Sequence, residues 1–265
     1  MDTWDHFTSW QLVLPPSRPS AEQLRVIRDR VADIDRTAPV AVLGSTPEFR
    51  DLFWECGFRR ICVLDRNLRF HELVSRERVY KNPEKVLEGD WFSVLPRHKE
   101  FFAVILSDLT SGNIPYDRRA EFYGYVADSL MSGGMFFDKI LTHTGPHLAV
   151  EALIEKYAKL PLNLLYINYF SCEMLFISEL LDLEEMVDTT RFYALLDQRI
   201  SNERVRAFVA KSELITPRGC NWHYGRRWEL LAKHYCVGLK QVADNPDEVD
   251  SPYFGRVHRY WFRKD

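Results

Sequence analysis

Apolar positions in the first half of the chain fall into short unbroken runs, each closed by a polar or glycine end. Val40 to Leu43 ends in Gly44, Ile61 to Leu64 ends in Asp65, and Ala103 to Leu106 ends in Ser107-Asp108. A weaker run, Lys85 to Glu88, leads into Gly89-Asp90-Trp91. A last one, Met135 to Leu141, follows the turn residues Ser132-Gly133-Gly134. Runs this short with no polar alternation predict strands buried on both faces, as in a parallel sheet covered by helices.

The intervening stretches carry helical spacing instead. Ser20 is an N-cap with Gln23 three residues on, and Leu24, Ile27, Val31 and Ile34 predict a helix reaching about Asp35. A helix is expected after Gly44, and others over Asn67–Ser75 and Asp117–Met131. Right-handed crossovers then bring the carboxyl ends of all parallel strands to one rim, so Gly44, Asp65, Asp90, Ser107 and Asp108 should gather there.

Beyond residue 141 the alternation loosens. Pro146–Lys159 has helical spacing, Pro161–Ile177 is apolar and aromatic, and Leu180–Ser212 is helical with a break at Asp188 or Thr189. An insertion of roughly 80 residues is too long for a connecting loop and too apolar for disorder, so it predicts a cap over the rim. Gly225–Cys236 returns to helix, and Leu239–Ala243 with Val257–Phe262 predicts a hairpin completing the sheet. At the other end, Trp4, Phe7 and Trp10 precede LPPSRPS, which cannot be helical and predicts an aromatic flap. The expected division is flap and first helix over 1–37, ligand-binding core over 38–141, cap over 142–223, and completion of the core sheet over 224–265.

Composition narrows the class. The 265 residues are 46% hydrophobic, enough for a sizeable core, and carry a net charge of -3 from 35 basic and 38 acidic residues. No field favours nucleic acid or an anionic membrane. Five cysteines without a C-x-x-C pair suit free thiols in a reducing compartment. Neither a signal peptide nor an apolar run of membrane-spanning length is read, and the expectation is a cytoplasmic protein, monomer or homodimer, working on a small-molecule substrate.

The chemistry starts at Asp65, which follows Gly44 by 21 residues. That spacing matches the acid that accepts ribose hydroxyls in a dinucleotide-type site. The full G-x-G-x-x-G is absent, because Thr46, Pro47 and Glu48 stand where further glycines would let backbone approach a pyrophosphate; a nucleoside without phosphates is the better fit. Asp90 is either a ligand contact or an N-cap, and Asp108 either meets an ammonium group or caps its own loop. Trp91 either lines an adenine or belongs to the core, and Glu48 either pairs with backbone or Arg18 or touches the ligand. His143 with His147, and Cys220 and His223 with His234 and Cys236, give only imperfect metal-ligand spacings, so no metal is expected.

With these residues placed, the chain resembles the class I S-adenosylmethionine-dependent methyltransferases over about 38–141 and more loosely over 224–263. VAVLGSTPE resembles the first motif of a subgroup whose glycine-rich turn is replaced by L-G-x-T-P-E. ICVLD resembles the ribose-binding motif, GDW the adenine-binding one, and PPSRP a segment ahead of the core in that subgroup. The resemblance implies a Rossmann-like three-layer α/β sandwich, with a mostly parallel seven-stranded sheet and an antiparallel last strand. S-adenosylmethionine is the implied cofactor, with Gly44, Ser45, Thr46, Asp65, Arg66, Asp90, Trp91, Ser107, Asp108 and Arg18 as its candidate contacts. Aromatic faces stabilise a sulfonium by roughly 0.5 to 2 kcal/mol apiece, and the candidates near it are Trp4, Trp10, Tyr166, Tyr169, Trp222 and Tyr224. Asn168 joins these, apart from Trp4, as an expected substrate contact, while Tyr166, Tyr169 and His223 are the candidate catalytic groups. Methyl transfer to a small acceptor is the leading expectation. The alternatives are a cyclase of the same fold, attacking the cofactor's γ carbon with its own amine to give azetidine-2-carboxylate and methylthioadenosine, and a non-catalytic cofactor-binding subunit.

Overall fold

A computed structural model describes residues 9–142, 148–177, 186–219, 221–223, 238–246 and 257–265. The chain alternates strand and helix as its apolar runs require: α1 (Ala21–Arg30), β1 (Val40–Leu43), α2 (Pro47–Glu55), β2 (Ile61–Asp65), α3 (Leu68–Ser75), β3 (Lys85–Glu88), α4 (Trp91–Val94), β4 (Phe102–Asp108), α5 (Tyr116–Ser129) and β5 (Leu130–Leu141). The later part follows as α6 (Val150–Lys159), α7 (Leu164–Glu173), β6 (Met186–Asp188), α8 (Thr189–Arg199), α9 (Glu203–Ser212), β7 (Asn221–His223), β8 (Leu239–Pro246) and β9 (Val257–Lys264).

Seven strands form one sheet in the order β3-β2-β1-β4-β5-β9-β8. β1 to β5 pair in parallel, and β9 runs antiparallel to both β5 and β8. Alternate side chains go to opposite faces, each with its own core. Phe136 and Phe262 stack at 5.7 Å on the face covered by α5, where Tyr123 packs at 6.1 Å from each. Phe137 and Trp261 meet at 5.0 Å on the opposite face, where Phe49 of α2 lies edge-on to Phe137 at 5.8 Å. Every residue of β1 and β2 is buried, as runs without alternation demand.

Two boundaries differ from expectation for local reasons. α1 stops at Arg30, not near Asp35, because Arg36 donates to the carbonyls of Val31 and Ala32, both at 2.7 Å, and ends the helix. Ser132-Gly133-Gly134 does not separate α5 from β5 but bulges within it: Leu130 pairs with Phe102 and Met135 with Val104, and residues 131–134 loop out between. A Cβ on Gly134 would lie 2.8 Å from the Met131 carbonyl, so the bulge needs glycine there.

The cap has a core of its own. Tyr157 meets Phe170 at 4.9 Å and Phe208 at 5.0 Å, joining α6, α7 and α9, and Phe192 of α8 completes the group at 6.5 Å from Phe170. The expected break at Asp188 is the N-cap of α8, whose carboxylate accepts from Thr190 N at 2.8 Å. β6 and β7 pair as a separate ribbon. The expected helix over 225–236 lies outside the described residues. No helix among the described residues is long and apolar enough to cross a membrane.

Candidate functional site

The strand ends open onto a cavity of about 650 Å³. Its floor is the rim: Leu43 to Thr46 after β1, Asp65 to Asn67 after β2, Gly89 to Phe92 after β3, and Asp108 to Thr110 after β4. The flap contributes Trp10, Val13, Pro16 and Ser17 to one side. Ser171, Cys172 and Leu175 of the cap, with Thr189 and the segment from Ile215 to Pro217, form the far wall.

Gly44 makes the first turn at φ +80°, a left-handed conformation that a side chain would strain. Thr46 stands at the N-cap position of α2 without a side-chain capping bond, and Pro47 begins the helix, which removes one of the N–H groups that would have no intrahelical partner. Asp65 ends β2 buried in the wall, with its carboxylate accepting from Asn67 N at 2.9 Å and from the Ser45 hydroxyl. Asp90 is the N-cap of α4, accepting from Phe92 N at 2.9 Å, and still faces the cavity beside the exposed Arg66. Trp91 is at once core and lining: its Nε1 donates to the Leu64 carbonyl at 2.8 Å and its ring packs 6.3 Å from Phe122.

Asp108 and Lys139 are paired residues of β4 and β5 and form a buried ion pair. Lys139 also donates to the Pro16 carbonyl at 2.7 Å, tying the flap to the rim. Burial pushes the Asp108 carboxyl up to about 6, against the pull of Lys139. One residue back, Ser107 pairs with Asp138, and its hydroxyl donates to that carboxylate at 2.8 Å. Tyr123 donates to the same group at 2.8 Å, and burial still pushes Asp138 up to about 6. Glu48 accepts from Trp10 Nε1 at 2.9 Å and pairs with Arg18, which fixes the flap against α2. Its second oxygen, Oε2, is buried without a hydrogen-bond partner among the described residues. Leu109 sits at φ +58°, a conformation costing about 1 kcal/mol for a residue with a side chain, and so holds Asp108 at a strained corner.

Of the expected cofactor contacts, Gly44, Ser45, Thr46, Asp65, Arg66, Asp90, Trp91 and Asp108 all line the cavity. Ser107 does not: its side chain is fully buried on Asp138. Arg18 stands behind the wall on Glu48. Of the expected substrate contacts, Trp10 lines the cavity. Asn168 does not, because its side chain accepts from Leu14 N at 2.8 Å and donates to the carbonyls of Leu12 and Leu164 at 2.9 Å, fastening the flap to α7. Tyr166 and Tyr169 lie against the cap core, edge to face at 6.1 Å, and are not part of the lining. Trp222 and His223 stand on β7, for which only the backbone is described, and Trp4, Tyr224, His143, His147, Cys220, His234 and Cys236 lie outside the described residues. Among the described residues, no group of three His, Cys, Asp or Glu side chains is placed to hold a metal ion.

Sequence reasoning missed Lys139, Asp138, His71, Ser171 and Cys172. The first two carried a signal: two charges inside the run MFFDKIL cannot be buried without partners. The others show none, since their role depends on which helix face meets the rim.

A mostly parallel sheet with one antiparallel strand slid between β5 and the edge defines the class. The all-parallel order 3-2-1-4-5-6 of dinucleotide-binding domains has no such strand. This is the Rossmann-like fold of the class I S-adenosylmethionine-dependent methyltransferases. No family model and no curated protein matches the sequence. Among solved structures, a protein from Rhodobacter sphaeroides provisionally named a Zn-dependent alcohol dehydrogenase aligns over 99% of this chain and 96% of its own, at 13% identity and a TM-score of 0.61. An S-adenosylmethionine-dependent methyltransferase from Mesorhizobium loti aligns over 92% and 98%, at 13% identity and a TM-score of 0.53. Another from Methanosarcina mazei aligns over 95% and 98%, at 10% identity and a TM-score of 0.53. Identities this low establish the fold alone.

Proposed function

We propose that the chain is an S-adenosylmethionine-dependent methyltransferase acting on a small molecule, of the subgroup marked by L-G-x-T-P-E. One observation carries the reading: a single cavity runs from the acids at the strand ends to the wall of the cap, so a nucleoside cofactor and an acceptor share one enclosure. The rim fits an adenosyl group. Asp65 stands where ribose hydroxyls would be accepted, and Asp90 with Trp91 and Phe92 offers a carboxylate and aromatic rings for a purine. Thr46 and Pro47 leave no glycine cradle for a pyrophosphate, which argues against a dinucleotide.

The methionine portion would fall near Asp108, which lines the cavity, with Lys139, Glu48 and Arg18 packed behind it, two acids and two bases whose charges balance beneath the flap. Such a set suits a zwitterion, with the Asp108 carboxylate at the cavity wall as the acceptor for its ammonium. Bound there, S-adenosylmethionine supplies an activated methyl group, so what the protein adds is orientation and exclusion of water. Trp10, Val13, Leu141 and Leu175 make that part of the wall apolar, while the hydroxyls of Ser171 and Thr216 offer hydrogen bonds to an acceptor. The flap and α7 close the chamber through Asn168 and through Ser17, whose hydroxyl lies 3.2 Å from Cys172 Sγ. In this reading 1–37 and 142–223 enclose the acceptor, 38–141 hold the cofactor, and 224–265 complete the core sheet.

Incubation with S-adenosylmethionine and candidate acceptors, followed by identification of the nucleoside released, tests the reaction. S-adenosylhomocysteine is expected. Methylthioadenosine would mean that the aminopropyl chain reacts instead, and binding without turnover under every condition would mean a non-catalytic subunit.

A further inference from the structure

We propose that Ser45 and His71 are positioning residues that set the orientation of the Asp65 carboxylate for a ribose diol. The inference rests on reading the cavity as a cofactor site and concerns a relay behind its wall. Ser45 lines the cavity, yet its hydroxyl turns to the protein: it donates to Asp65 Oδ2 and lies 3.1 Å from His71 Nδ1. A hydroxyl has one proton to give. With that proton directed at Asp65, Ser45 Oγ has only lone pairs left for His71, so Nδ1 is the donor in this contact.

Behind the ring stands a charged cluster: Nε2 lies 3.5 Å from Glu84 Oε1 and from Ser75 Oγ, whose proton goes to the His71 carbonyl at 2.6 Å. Glu84 pairs with Arg50 and, at 2.9 Å, with Arg78, which reaches Asp51 at 3.0 Å. Arg50 also donates to the Ser45 carbonyl at 3.2 Å and to Ser75 Oγ at 2.8 Å. Charged groups thus face the imidazole from α2 (Arg50, Asp51), from its own α3 (Glu72) and from the segment between α3 and β3 (Arg78, Glu84), with Asp65 beyond Ser45. Burial, reinforced by the Arg50 guanidinium, holds His71 below its ordinary value, against the pull of Glu84. The turn after β1, α3 and the approach to β3 therefore all converge on one carboxylate. Asn67 N fixes Oδ1 and Ser45 fixes Oδ2, and together they set the carboxylate plane at the cavity wall.

The test compares, by calorimetry, the dissociation constants of S-adenosylhomocysteine and its 2′-deoxy analogue. The ratio between them measures how well the diol is read. Ser45→Ala and His71→Leu are expected to weaken S-adenosylhomocysteine about tenfold each and to shrink the ratio severalfold. His71→Asn, whose amide offers a donor near the Nδ1 position, should keep the ratio within about twofold of the wild type. An unchanged ratio in both Ser45→Ala and His71→Leu overturns the relay even if overall affinity falls, because a purely structural role would weaken both ligands alike. Nitrogen-15 spectra of the unmodified protein provide a readout that needs no variant: Nδ1 of His71 should carry a proton near pH 7, and a ring protonated at Nε2 alone overturns the proposal. Failure of the wild type to bind S-adenosylhomocysteine at all would overturn the cofactor reading itself, and the relay with it.

Discussion

Rim and cap enclose the same cavity, but they are built on different terms. On the rim, each acid that faces the cavity is held by a close partner: Asp65 by Asn67 and Ser45, Asp90 by the backbone of Phe92, and Asp108 by Lys139 on the adjacent strand. In the cap the large side chains turn to one another, with Tyr157, Phe170, Phe192 and Phe208 forming an aromatic core that never reaches the cavity. What the cap presents is a strip of small residues, Ser171, Cys172 and Thr189, together with the aliphatic Leu175 and Ile215. The rim can therefore keep its shape whatever acceptor is used, whereas the cap must first bury itself and recognises with what remains.

The sharpest way to break this contrast is to damage the cap core. Phe170→Ala should destabilise the protein by about 3–5 kcal/mol, read as a lower urea midpoint, since it leaves a cavity among three ring neighbours. A loss below about 1 kcal/mol would mean that these rings are not a core.

The buried acid beneath the rim gives the next effect. In the folded state Asp138 holds its proton up to about pH 6, against an ordinary value of 3.8. A raised carboxyl means that the folded protein binds a proton that the unfolded chain releases, so its contribution to stability grows as pH falls from about 6 toward 4. The gap from 3.8 to about 6 amounts to about 3 kcal/mol, which Asp138→Asn should remove from the pH dependence of unfolding. Parallel pH profiles for the wild type and the variant would place the proton elsewhere.

Asp65→Ala probes the rim directly. It should weaken S-adenosylhomocysteine by about 1.5 to 3 kcal/mol through lost charged hydrogen bonds, while an equal change in a cap tyrosine should not. Tyr166→Phe and Tyr169→Phe mark the small end of the scale. Neither ring lines the cavity, so turnover with any acceptor should stay within about twofold of the wild type. A hundredfold loss in either would restore them as catalytic groups.

The same contrast explains what was legible in the sequence. Strands β1, β2 and β4 and the rim acids were readable because a residue at the carboxyl end of a parallel strand is placed by the strand itself. The spacing from Gly44 to Asp65 carried most of that information. The hairpin of β8 and β9 was readable from its apolar runs, although both strands extend beyond them. In the cap, periodicity located helices but not the face each one buries, so Tyr166, Tyr169 and Asn168 looked like pocket residues. Asn168 in fact ties Leu12, Leu14 and Leu164 together across the flap, a contact between segments over 150 residues apart. Lys139 was hidden for a related reason: its partners, Asp108 and Pro16, are neighbours only once β4, β5 and the flap have assembled.

Calorimetric titration of the unmodified protein with S-adenosylhomocysteine tests the central claim, that the strand-end rim is a nucleoside cofactor site. The account predicts saturable binding of one ligand per chain. No heat of binding up to millimolar ligand would contradict it.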